Sequence, residues 1–176
     1  MAPTVFGDII GDLDSYTCDL GNHTCIPRNY SKYELPESLT YVSLGIDIMN
    51  IPNIDDNDFS VTLSAFLNIN WRDSRIITDN AYPKDMIPID VNFMKKIWLP
   101  DLYIRNLQQF KTQYVLSNQE GLSIYADDSH ELLYQIFARI TFYCPMTFDD
   151  FPLDIQVCLF QVHGINQLKS NFTFKL

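Results

Sequence analysis

Two successive stretches of the chain alternate apolar and polar residues with a period of two. In LTYVSLGIDIMNI, Val42, Leu44, Ile46 and Ile48 alternate with Ser43, Gly45 and Asp47. In FSVTLSAFLNINW, Val61, Leu63, Ala65, Leu67 and Ile69 fall on one side, and Ser64, Phe66, Asn68 and Asn70 on the other. Side chains that switch sides at every residue belong to extended backbone, so each stretch predicts a half-buried strand. IPNIDDNDF between them, rich in Asp, Asn and Pro, predicts a turn. Further along, VNFMKKIWLPDLYI predicts a strand that breaks at Pro100. QYVLSNQEGLSIYADDSHELLYQIFARITFYC reads as strand, turn, strand, an Asp127-Asp128-Ser129 turn and a long strand into Cys144. LFQV and NFTFKL are two more strands. There is no heptad and no sustained helical stripe. Short strands with regularly spaced turn signals predict an all-β antiparallel sandwich over 35–176, preceded by an irregular or briefly helical extension over 1–34.

The chain can fill such a fold. Of its 176 residues 47% are apolar, 14% are aromatic and only 19% are charged, which argues against global disorder. The net charge of -10 comes with no Lys/Arg run, so nucleic acid is not an expected partner. No stretch of about eighteen apolar residues is present to span a membrane. The four cysteines form two local pairs, Cys18/Cys25 and Cys144/Cys158. Three N-x-Ser/Thr sequons begin at Asn22, Asn29 and Asn171. Together they favour an oxidising, extracellular setting with disulfides and glycans over reduced cysteines in the cytosol. MAPTVFGDIIGDLD has neither the basic start nor the apolar run of a signal peptide, so the sequence reads as part of a longer protein.

The second cysteine pair brackets an unusual loop. CPMTFDDFPLDIQVC places thirteen residues between Cys144 and Cys158. Closing such a loop stabilises a fold by about 3 kcal/mol. A simple staple does not need Met146, Phe148, Phe151 and Leu153, which would make an exposed apolar tip of the kind that contacts protein or lipid. Pro152 after Phe151 is a candidate for a cis bond in a tight turn.

This loop, with FPLD inside it, resembles the signature loop of the Cys-loop receptors, the pentameric ligand-gated ion channels. Trp71-Arg72-Asp73 resembles the family's W-x-D, and Trp98-Leu99-Pro100-Asp101 its W-x-P-D. Cys144-Pro145-Met146 resembles the loop opening of the anion-selective, invertebrate-like branch. The resemblance runs from about Leu35 to Leu176. It implies an immunoglobulin-like extracellular sandwich in a ring of five identical or homologous subunits, with a small-molecule agonist bound between neighbours and no cofactor. The signature loop then docks on the membrane domain. Met146, Phe148, Phe151 and Pro152 would act as the gating tip, with Asp154 and Asp150 as candidates for charge contacts. Trp71 and Trp98 would fill the core, and Asp73 and Asp101 would order turns. The sequence stops at what resembles the eighth strand, so the last two strands and the membrane helices are expected to be missing from it.

The resemblance also places a ligand face. Phe66 stands at an aromatic position of one side of the subunit interface. Asn68 and Ser123 stand where amino-acid-gated members carry arginines, which disfavours a ligand carboxylate there. On the opposite side, Tyr103 matches an aromatic position and Arg105 replaces a tyrosine. In VHGINQLKS the expected box aromatic gives way to Ile165 or Gln167, which weakens the case for an amine agonist held by ring faces. His163 raises a proton- or metal-responsive reading, against its commoner structural role.

No catalytic constellation is present, so an enzyme is not expected. Asp55, Asp56 and Asp58 lack the glycine and glutamate of a calcium loop. The expected function is the ligand-binding domain of a neurotransmitter-gated channel subunit at the outer face of the plasma membrane. The alternatives are a secreted or truncated channel-less homologue that modulates full subunits, and an unrelated adhesion sandwich.

Overall fold

The computed structural model describes residues 15–19, 24–78, 86–112, 120–126, 129–164 and 169–175, with backbone only for Asp19 and for 169–175. These residues are almost entirely β. The strands are β1 (Tyr16–Asp19), β2 (Thr24–Pro27), β3 (Val42–Asp55), β4 (Ser60–Arg72), β5 (Ile77–Thr78), β6 (Met86–Ile89), β7 (Leu102–Ile104), β8 (Leu107–Thr112), β9 (Glu120–Tyr125), β10 (Glu131–Tyr143), β11 (Val157–Gly164) and β12 (Lys169–Lys175). The single described helix, α1, spans Val91–Met94. Neighbouring strands pair antiparallel, the architecture expected of the sandwich.

The described residues fall into two compact units. One draws on 1–44, 69–99 and 120–135, the other on 45–68, 100–119 and 136–176.

In the first unit, β1, β2 and β5 form a small sheet, and the Cys18–Cys25 disulfide joins facing residues of β1 and β2. β6 pairs with β9, which lies beside β10. The core collects Trp71, Ile76, Ile87, Phe93, Ile97, Leu122, Ile124 and Leu132, with Ile26 and Tyr30 from before residue 35 packed into it. Trp71 meets Trp98 edge-on, with ring centroids 6.3 Å apart, as aromatic quadrupoles prefer. The Trp71 indole N–H finds no acceptor among the described residues.

In the second unit, β3, β4, β10 and β8 lie side by side, and β12, β11 and β7 form another sheet. β4 is a central strand, so Ser60, Thr62 and Ser64 are buried along with Val61, Leu63 and Ala65. The polar side is satisfied in part by a Thr62–Thr141 hydroxyl pair at 2.9 Å. Phe142 of β10 meets Phe160 of β11 edge-on at 5.2 Å, and the Cys144–Cys158 disulfide follows at the end of the same two strands. Asn106, between β7 and β8, donates its amide to Tyr143 O and Leu159 O, each at 2.8 Å, and accepts from Gln161 N at 3.3 Å. One side chain therefore holds strands of both sheets.

Three sequence expectations are corrected. Where it is described, the stretch before residue 35 is not irregular or helical but carries the paired strands β1 and β2, because the Cys18–Cys25 pair closes a hairpin whose second strand joins β5. IPNID is not a turn: β3 runs through it to Asp55. β3 has β4 as its sheet neighbour and stands at the sheet edge, where Pro52 is tolerated because an edge N–H need not enter a ladder. The turn begins at Asp55, whose carboxylate accepts from Asn57 N and Asp58 N. VNFM is not strand but one helical turn. The Asp90 side chain caps it by accepting from Asn92 N at 2.7 Å.

Candidate functional site

Three features concentrate the polar and aromatic chemistry. The first lies on the second unit's smaller sheet. β7 and β11 pair so that Tyr103 faces His163 across the strands, with ring centroids 5.6 Å apart and planes tilted by 43°. Tyr103 is 49% exposed and His163 half-buried. The pairing continues past β7, where Arg105 N donates to Gln161 O at 2.8 Å. Alternation puts Gln161 on the same side of this sheet as His163, and Arg105 is exposed in the turn after β7. The sequence reading named Tyr103 as a ligand residue and weighed His163 alone. The structure makes them one aromatic pair. Ile165, the other residue assigned to this side, lies outside the described residues.

The second feature is on β4. Phe66 is half-buried against Phe137 of β10, with centroids 4.7 Å apart. Two residues on, Asn68 donates its amide to the Asp47 carboxylate at 2.6 Å. Asn68 therefore sits against an acid. Phe137 and Asp47 were not singled out in the sequence, because cross-strand partners follow only from register. Ser123 belongs to the first unit, on β9 opposite Pro88.

The third feature is the loop closed by Cys144–Cys158. Phe151 is 76% exposed and Leu153 87%, with Phe148 and Ile155 also exposed. The Phe151–Pro152 bond is cis, as expected. Met146 is corrected: it is buried and not part of the tip. It continues the inward alternation of Ile136, Ala138, Ile140, Phe142 and Cys144, so the strand's parity decides its side. The loop is sewn internally by Gln156, which accepts from Thr147 N at 3.0 Å and donates to Thr147 O at 2.6 Å. The same amide donates to Asp154. Asp154 is thereby held inside the loop, while Asp150 is exposed in its turn.

Asp73 heads a buried cluster in the first unit. It is fully buried and takes a bidentate pair from Arg75 at 2.8 Å on each oxygen. The Tyr30 hydroxyl donates to Asp73 at 2.7 Å and accepts from Arg75 and from Trp98 N. Arg75 also lies over the Tyr30 ring, 4.2 Å from its centroid. Burial foremost, helped by the Asp73 carboxylate, pushes the Tyr30 hydroxyl well above the usual tyrosine range. The hydrogen bond to Asp73 raises Arg75 further. This cluster is an organising centre rather than a ligand site.

Of the sequons, Asn29 is exposed in the turn after β2, whereas Asn22 and the Asn171 side chain lie outside the described residues. Among the described residues no three His, Cys, Asp or Glu side chains gather as metal ligands. No described helix is long and apolar enough to cross a membrane. Residues 23–176 match the family model described as neurotransmitter-gated ion-channel ligand binding domain.

Proposed function

Since the chain belongs to the neurotransmitter-gated ion-channel ligand-binding domain family, we propose that it is the extracellular domain of a subunit in a five-membered channel. It binds a small-molecule agonist where subunits meet and transmits that event to the pore through the Cys144–Cys158 loop. The observation that carries this reading is the tip itself. A disulfide-closed loop presents Phe148, Phe151, Leu153 and Ile155 to solvent. Exposed apolar side chains of this density mark a surface meant to be covered. The Cys144-Pro145-Met146 opening supports a place among anion-selective members. The test is made in the channel subunit that carries this domain. Phe151→Ser with Leu153→Ser is expected to leave agonist binding unchanged and to abolish or strongly reduce agonist-evoked current. Undiminished current from the double variant would sink the coupling role.

A further inference from the structure

We infer that the cleft where β3 and β10 begin and β4 ends is a second ligand site, apart from the Tyr103–His163 pair, and that it takes a small primary ammonium ligand. Tyr41, Ser43, Asn70, Arg72, Ser129 and Glu131 line it. All of them belong to the first unit.

Strand parity builds the cleft. Val42, Trp71 and Leu132 pack in the core of the first unit. Their neighbours along the same strands, Ser43, Asn70, Arg72 and Glu131, therefore face the other side. The strands lie side by side in the order β3, β4, β10. A bond from Asp73 N to His130 O, at 3.1 Å, sets the start of β10 against the end of β4. Tyr41 stands at the rim and is 78% exposed. The cleft has a volume of about 520 Å³, within the ~300–1,000 Å³ of small-molecule sites.

Acceptors dominate its lining. The Asn70 side-chain oxygen is buried, and no donor reaches it among the described residues. Buried oxygens are rarely left in that state, because they have given up water without gaining a partner. Glu131 adds a half-buried carboxylate, and no described cation pairs with it. Arg72 is exposed, and its Nε stands 3.9 Å from the Glu37 carboxylate, which offsets its charge. In a chain of net charge -10, negative potential prevails here. A primary ammonium carries three N–H donors on one compact charge. One donor meets Asn70 Oδ1 and another the Glu131 carboxylate, while the Tyr41 ring offers its face to the cation. An uncharged ligand of the same shape gains the Asn70 bond but not the charge contact. A carboxylate is repelled by Glu131.

The test is a chemical-shift titration of the full chain near neutral pH with benzylamine and, in parallel, with benzyl alcohol and phenylacetate, which keep the ring and change the charge. Benzylamine is expected to move the amides of Ser43, Asn70, Arg72 and Glu131, and the other two probes are not. Glu131→Gln should weaken benzylamine about tenfold, and Asn70→Leu, which removes the acceptor at similar size, about threefold or more. Should either variant disturb the spectrum far from the cleft, the other carries the test. Equal binding of benzyl alcohol at these residues overturns the ammonium assignment. Benzylamine shifts confined to Tyr103 and His163 overturn the second site and leave the ligand-binding reading above intact. No binding of any probe, or unchanged affinity in both variants, means that the Asn70 oxygen meets only water and also overturns it. None of these outcomes bears on the coupling loop, which has its own test in channel current.

Discussion

Gln156 grips both backbone polar groups of Thr147 across the closed loop, accepting from its N–H at 3.0 Å and donating to its carbonyl at 2.6 Å. The two residues sit on opposite legs of the loop, so the pair sets how the tip between them is presented. Gln156→Ala removes both bonds and leaves the disulfide in place. One such bond is worth about 0.5–1.5 kcal/mol. Amide exchange at Thr147 should therefore accelerate about three- to tenfold, with global stability little changed. Unaltered exchange at Thr147 would show that the loop holds its shape without this pair.

The two disulfides differ in access. Cys144, Cys158 and Cys25 are fully buried, whereas Cys18 is half-exposed. Thiol–disulfide exchange needs an approach to sulfur, so mild reductant should open Cys18–Cys25 first. Timed alkylation and mass analysis would follow the order. Replacing both Cys144 and Cys158 by Ala should lower unfolding free energy by about 3 kcal/mol, the closure term for a loop of this size.

Asp73→Ala strips the acceptor from Arg75 and from the Tyr30 hydroxyl at once. Breaking a buried ion pair costs about 3–5 kcal/mol. Arg75 keeps some access to water, so the lower end, about 3 kcal/mol, is expected in urea denaturation. Asp73→Asn, which keeps an acceptor oxygen, should cost less. Equal losses for the two variants would mean that the charge contributes nothing.

Alkaline pH should unfold the protein through two tyrosines. Burial first, then the bond to Glu120 at 2.5 Å, pushes the Tyr134 hydroxyl up, and Tyr30 is raised in the same direction. A group whose folded pKa lies above its unfolded value stabilises the fold fully below the unfolded value, about 10 for tyrosine, and that contribution is lost as pH rises beyond it. Stability should hold to about pH 9 and fall steeply above about pH 10. Tyr134→Phe, which cannot ionise, should show a shallower fall over the same range. An identical slope would remove Tyr134 from the account.

The strands were legible because alternation is written residue by residue: Val61 to Leu67 and Ile136 to Cys144 need no partner to be read. Boundaries were less so. Pro52 and Asp55 look like turn residues, yet an edge strand tolerates the first and the second only ends it. The helical turn at Val91 hinged on the Asp90 cap, a single side chain that composition does not flag. Met146 was misplaced because the loop was read as a unit, when the parity of β10 runs on into it. Tyr103 and Phe66 are expected at the candidate site from family position alone. Their partners His163 and Phe137 lie 60 and 71 residues away in sequence and are set by register alone. Tyr30 joins Asp73 across 43 residues for the same reason.

Asn106 has a mechanical meaning. Its carboxamide is tied to β10 through Tyr143 and to β11 through Leu159 and Gln161, beside the disulfide that joins the same strands. At this end the two sheets of the unit are bound like the pages of a book at its spine. A force applied to one sheet at this end is therefore passed to the other through a single carboxamide, bonded at Tyr143, one residue before Cys144.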